Sequence, residues 1–233
     1  MLVVAMAACR HEPPDAPQDQ GTGGGGYSWT PPPDTMSAGV VCDPDTVYFE
    51  QAVLPLLVNY CATAGCHDAI THEEGVRLYD YAHIMQQVTA GHPNQSDLMT
   101  DGIWETGNDQ MPPSDQPQMT QAQINTITTW INQGAQNNSC VPSACDTTNV
   151  TFSGTIAPIM STFCTGCHGG SSPDGNINLT SHAGVVAVAN DGRLMGSVRH
   201  QATFSSMPPV GGGLSACRIA QLQKWVNEGA QNN

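Results

Sequence analysis

The chain has 233 residues with six Lys and Arg against twenty Asp and Glu, a formal charge of −14 at pH 7. Such an anionic surface excludes nucleic acid as a natural partner, because a polyphosphate backbone would be repelled rather than bound. Nine cysteines and ten methionines beside only 6% aromatic residues point instead to a chain whose core is supplemented by disulfides or by a covalently held group.

The first nine residues run Met1-Leu2-Val3-Val4-Ala5-Met6-Ala7-Ala8-Cys9, small alanines before a cysteine. This reads as the end of a bacterial lipoprotein signal, with Cys9 as the acylated residue and 1–9 as a signal remnant. The apolar run is too short to span a bilayer. Residues 10–41 are rich in Pro, Gly, Gln and Asp, with Gly23 to Gly26 and Pro31 to Pro33 as uninterrupted runs. That composition cannot bury a core and is expected to act as a flexible tether.

From Cys42 onward the chain is an internal duplication. Cys42-Asp43 and Val47-Tyr48-Phe49 correspond to Cys145-Asp146 and Val150-Thr151-Phe152, and Cys42 and Cys145 lie equally far ahead of Cys61 and Cys164. At the other end, Trp130-Ile131-Asn132-Gln133-Gly134-Ala135-Gln136-Asn137-Asn138 corresponds to Trp225-Val226-Asn227-Glu228-Gly229-Ala230-Gln231-Asn232-Asn233. A period of about a hundred residues is too long for a solenoid and matches a small domain with its own core, which places one domain at 42–140 and a second at 141–233.

Each copy reads as helical. Phe49, Val53, Leu54, Leu56 and Leu57 predict an apolar helix ending at Tyr60, kinked by Pro55; Phe152, Ile156, Ile159, Met160 and Phe163 repeat it, with Pro158 in the matching place. Segments near 79–89 and 180–190 are expected to give one short helix each. Thr120 and Gln123 read as a capping box opening a helix with Ile124, Ile127, Trp130 and Ile131 on one face and Gly134 at its end. Ser215, Ile219, Leu222, Trp225, Val226 and Gly229 repeat that scheme. No strand-like alternation persists, so the fold class is all-α.

The chemistry sits between these helices. Cys164-Thr165-Gly166-Cys167-His168 is a C-x-x-C-H run, the attachment pattern of a c-type haem: two thiols reach one edge of a rigid macrocycle and the adjacent histidine lies under the iron. The first copy has a wider variant, Cys61-Ala62-Thr63-Ala64-Gly65-Cys66-His67, whose small residues suit a bulge between the thiols. Downstream of each stands a Met-Pro-Pro, Met111-Pro112-Pro113 and Met207-Pro208-Pro209. A thioether is a soft, weak ligand that favours ferrous iron, and two prolines stiffen the loop that would carry it. The reading is therefore two covalent haems c, with Cys61, Cys66, Cys164 and Cys167 as thioether donors, His67 and His168 as proximal ligands, and Met111 and Met207 as distal ones. The other histidines, His72, His83, His92, His182 and His200, read as surface groups or partners of propionates; His200, just ahead of Met207, is the competitor for the second distal position.

Setting aside the four haem cysteines and Cys9 leaves Cys42, Cys140, Cys145 and Cys217, an even number that suggests two disulfides in an oxidising compartment. Three pairings exist. Cys42 with Cys140 and Cys145 with Cys217 would each close one copy, while Cys140 with Cys145 is locally feasible and leaves the other pair to bridge the copies. A zinc site is the metal alternative, although no paired knuckle remains once the haem motifs are assigned.

A leading helix, a C-x-x-C-H run, a loop-borne Met and a closing amphipathic helix with an aromatic residue make each copy resemble a class I cytochrome c. The tandem pair over 42–233 resembles the diheme cytochromes c, in particular the c-type cytochrome lipoproteins of Bacteroidetes-type bacteria. The resemblance implies two domains, each wrapped around one haem, and an electron carrier rather than an enzyme. It also implies a location in the cell envelope, on the periplasmic or outer face, anchored to a membrane through lipid on Cys9. A redox partner with a basic docking face complements the negative charge. Two other classes remain open: a peroxidase-like diheme enzyme with one displaceable distal ligand, and a redox-silent module held by disulfides.

Overall fold

The computed structural model describes residues 42–140, 145–209 and 213–233; Cys9 and the expected tether lie outside them. Among the described residues all regular structure is helical, and none of the helices is long and apolar enough to cross a membrane.

In the first half, a π-helical turn at Phe49–Val53 runs into α1 (Leu54–Tyr60), then come α2 (Tyr81–Ile84), short 3₁₀ and π turns, and α3 (Gln121–Asn132). The second half has a matching π turn at Phe152–Ile156 and α4 (Ala157–Phe163), followed by α5 (His182–Asn190), α6 (Arg193–Val198) and α7 (Ala216–Asn227). The kink expected at Pro55 takes a specific form. The backbone is wide up to Val53 and becomes α-helical at Leu54, so Pro55, like Pro158, sits in the first turn of a new helix, where its missing N–H breaks no helical bond. The single helix expected near 79–89 is only the four residues of α2 plus a 3₁₀ turn at Met85–Gln87, whereas the one near 180–190 forms in full. The sequence reading missed α6, whose place in the first half is taken by a π turn at Met99–Ile103.

Two apolar cores form, one within each half. Phe49, Val53, Leu57, Ile84, Met99, Ile127, Trp130 and Ile131 are all buried in the first, and Ile156, Met160, Val185, Leu222 and Trp225 in the second. The duplicated Trp-to-Asn segment explains itself here as a lock. Trp130 and Trp225 donate their indole N–H to the carbonyls of Gln136 and Gln231, both at 2.9 Å. Getting the chain around that tightly needs Gly134 and Ala135, and Gly229 and Ala230, at positive φ. The chain then returns to the start of its half: Asn138 accepts the N–H of Phe49 and of Glu50, and Asn233 those of Phe152 and Ser153. Each segment thereby satisfies first-turn N–H groups that a helix cannot satisfy by itself.

Two disulfides reinforce the same closure. Cys42 pairs with Cys140 and Cys145 with Cys217, spanning 98 and 72 positions, the pairing that closes each copy separately. The capping box at Thr120 and Gln123 is formed, and Ser215 caps α7 through the N–H of Arg218.

Candidate haem-binding sites

Both cysteine motifs hang from the C-terminal end of a short helix. In the second half the N–H of Cys164 reaches the carbonyl of Met160, and the N–H of His168 reaches that of Cys164 at 2.8 Å, so thiols and imidazole belong to one tight turn. In the first, Cys61 bonds to the carbonyl of Leu57 and the N–H of His67 reaches Cys61 at 3.1 Å. The two extra residues are therefore absorbed inside the turn without separating histidine from first thiol. Asp68 holds the widened turn: its carboxylate accepts from the N–H of Gly65, Ile70 and Thr71 and from the Thr71 hydroxyl. Although partial burial pushes the Asp68 pKa up, the bonds from Thr71, Ile70 and Gly65 outweigh it and leave it below its ordinary value.

Beyond each motif the chain takes the same path. Leu78 donates to the His67 carbonyl and Leu179 to that of His168, at 2.9 and 2.8 Å, and the intervening turns bond Glu73 to Cys66 and Asp174 to Cys167. The proximal histidines differ in one respect. His168 Nδ1 lies 3.1 Å from the Asp174 carbonyl, which fixes the ring and leaves Nε2 as the ligating nitrogen, whereas His67 Nδ1 is buried without a hydrogen-bond partner.

Met111 and Met207 begin equivalent loops, each joined to its proline by a cis peptide bond. Met111 is 38% exposed and Met207 is half-buried, its N–H bonded to the Ser197 carbonyl. Gln118 ties the first loop by donating to the carbonyls of Pro112, Pro113 and Gln116.

The donor set fits a haem attached through thioethers. Cys61, Cys66, Cys164 and Cys167 are the free thiols among the described residues, each pair being followed at once by a histidine. Burial pushes the thiols of Cys61 and Cys164 up to about 12 and that of Cys167 to about 11. Buried, protonated thiols of this kind suit thioether attachment to a flat apolar macrocycle. No cluster of three or more His, Cys, Asp or Glu suited to a metal ion occurs among the described residues. The two motifs lie close together at the contact between halves, where the hydroxyls of Tyr60 and Thr165 are 3.1 Å apart.

The remaining histidines have other work. His182 donates its Nε2–H to the Ala230 carbonyl, 2.8 Å away, and packs edge-on against Phe152; Tyr81 does the same with Ala135 and Phe49 in the first half. That equivalence of His182 with Tyr81 was hidden in the sequence by the change of residue type. His83 pairs with Asp80, His72 Nε2 meets Arg77, and His92 and His200 are exposed, His200 in the left-handed region at φ 52°.

The family described as Planctomycete cytochrome C matches residues 64–115 and 164–211. Each stretch contains one Cys-His pair and one Met-Pro-Pro, and Cys61 falls just outside the first. The match supports a cytochrome c-like family and hence haem-based electron transfer; it does not extend to the Bacteroidetes-type lipoproteins. No curated protein and no solved structure matches the chain.

Proposed function

We propose that the chain is a tandem diheme cytochrome c of the class I type, held to the periplasmic or outer face of a membrane by lipid on Cys9, which shuttles electrons between redox partners. The single observation that supports this best is the repetition of one complete site: thiol pair, histidine, return of the chain to the histidine carbonyl, and a Met-Pro loop with a cis peptide bond stand in the same order in both halves. Haem supplies a reversible one-electron iron couple. The protein residues do the rest. Cys61 and Cys66, and Cys164 and Cys167, hold the macrocycle covalently; His67 and His168 furnish imidazole nitrogen, and Met111 and Met207 a soft sulfur that raises the potential. No residue needs to move a proton, so the low charge density of the two cores is an advantage.

The excess of fourteen negative charges selects for a basic face on the partner and makes association salt-sensitive. One observation favours a second reading: Met111 is the more exposed thioether, as a displaceable ligand of a peroxidase-like site would be. The test is reduction by a membrane-bound donor followed by stopped flow at increasing ionic strength, together with hydrogen peroxide turnover. Rapid reduction that slows with salt, without peroxide turnover, supports the carrier; salt-independent reduction contradicts the docking face, and peroxide turnover lost in Met111→His favours the enzyme. For the anchor, full-length protein should fractionate with membranes and Cys9→Ser should release it; a soluble wild type would contradict it.

A further inference from the structure

The two halves meet where α1 and α4 end, which is also where the two cysteine motifs begin. Asn59, from the first half, is 5% exposed and spends its whole side chain on the second. Its Nδ2 donates to the carbonyls of Ser161 and Thr162 at 3.4 and 3.3 Å, and its Oδ1 accepts the N–H of Gly166 at 3.1 Å. Ser161 and Thr162 lie in the last turn of α4, whose carbonyls have no partner within the helix. Gly166 is one of the two residues between Cys164 and Cys167.

The approach at Gly166 is closer than any side chain permits. A Cβ built there would stand 1.8 Å from the Asn59 carbonyl oxygen and 2.5 Å from its carbon. The other inter-thiol residue, Thr165, is also buried, its hydroxyl 3.1 Å from that of Tyr60. Tyr60 and Gln123 add further donors to the Ser161 carbonyl, at 3.2 and 3.0 Å. The relation is not reciprocal. The position equivalent to Asn59 in the second half is Thr162, and the return contact is made instead by Arg218, which stacks on Phe163 at 4.5 Å and donates to the Gln51 carbonyl, away from the first motif.

We infer that Asn59 is a positioning residue of the second haem-binding site, contributed across the contact by the first half. It holds the Thr165-Gly166 turn and thereby the spacing and direction of Cys164 and Cys167, so the second site is complete only when the first half is docked on it. Gly166 serves this contact as well as the motif: it is glycine because the neighbouring backbone occupies the place of its Cβ. This rests on the proposed reading of the motifs as haem sites, but the contact can be tested independently of it.

The experiment uses the full holo chain. Hydrogen exchange on the wild type should show the Gly166 amide protected, and Asn59→Ala should expose it; a Gly166 amide that exchanges freely in the wild type overturns the contact whether or not haem is bound. Spectroelectrochemical titration then reads the site. Met207→Ala identifies the wave of the second haem, and Asn59→Ala and Gly166→Ala, which attack the contact from opposite sides, should each shift that wave and leave the other in place, with both haems retained by pyridine haemochrome. A shift of the first wave, an equal shift of both or no shift overturns the positioning role. Loss of haem in the wild type would instead defeat the reading of the motifs, with the amide result still standing.

Discussion

Replacing Trp130 by alanine tests whether the duplicated C-terminal segment locks each half. The indole is fully buried, with its ring 5.2 Å from Phe49, and donates to Gln136 at 2.9 Å. Truncating a buried Trp costs about 3–5 kcal/mol in lost transfer and residual cavity. Leaving the Gln136 carbonyl without its donor adds about 1 kcal/mol or more. The sum, about 4–6 kcal/mol, is comparable to the whole stability of an ordinary domain, about 5–15 kcal/mol. Trp130→Phe keeps most of the packing and loses the hydrogen bond, so its cost should be smaller, about 1–3 kcal/mol. Chemical denaturation of the holo protein, followed by far-UV circular dichroism, gives both values. A Trp130→Ala cost below about 1 kcal/mol would refute the packing argument. Equal costs for the two variants would show that the hydrogen bond, not the ring, carries the lock. Trp225→Ala should behave the same way, since it repeats the contacts with Phe152 and Gln231.

Removing the second disulfide as Cys145→Ser with Cys217→Ser should cost about 4 kcal/mol, the loop-closure entropy for its 72-position span, read as a drop in denaturation midpoint. Met111→Ala and Met207→Ala should each leave haem attached, abolish the far-red Met-to-iron absorption of one site and lower its potential; a second-site potential unmoved by Met207→Ala but shifted by His200→Ala would reassign the second distal ligand. Asp80 titrates below its ordinary value: slight burial raises it, but bonds from the His83 backbone and ring and the His83 charge outweigh that. Its folded pKa is depressed, so its contribution is present above the unfolded carboxylate pKa and lost as pH falls through the folded one. Asp80→Asn should therefore be less stable than wild type at neutral pH, with the gap closing in acid; a gap that is constant with pH would contradict the assignment.

How far the sequence could be read depended on whether a feature was local. The capping box at Thr120, the apolar face of α3 and its stop at Gly134 need only neighbours along the chain, and all three appear as expected. The duplication favoured, among three possible pairings, the two disulfides that form, since each pair brackets one copy. The division of the leading helix at Val53 was visible only as a proline, because a π turn has no composition of its own. The helix α6 escaped because Arg193 to Val198 is too short for periodicity to speak. The role of Asn59 was beyond reach: it is an unremarked residue inside an apolar helix, and its partners lie more than a hundred positions away. The widened turn at Cys61 was read as a bulge of small residues, but its hydrogen-bonding centre is Asp68, which follows the histidine and belongs to no motif.

The central claim is that this one chain carries two covalent haems, and intact-mass spectrometry of denatured protein together with a pyridine haemochrome titration measures it directly. Two haems per chain are expected, falling to one in Cys164→Ser with Cys167→Ser and, independently, to one in Cys61→Ser with Cys66→Ser. A wild-type chain with one haem would contradict the first site, whose thiols are separated by four intervening residues, and a chain with none would contradict the account as a whole.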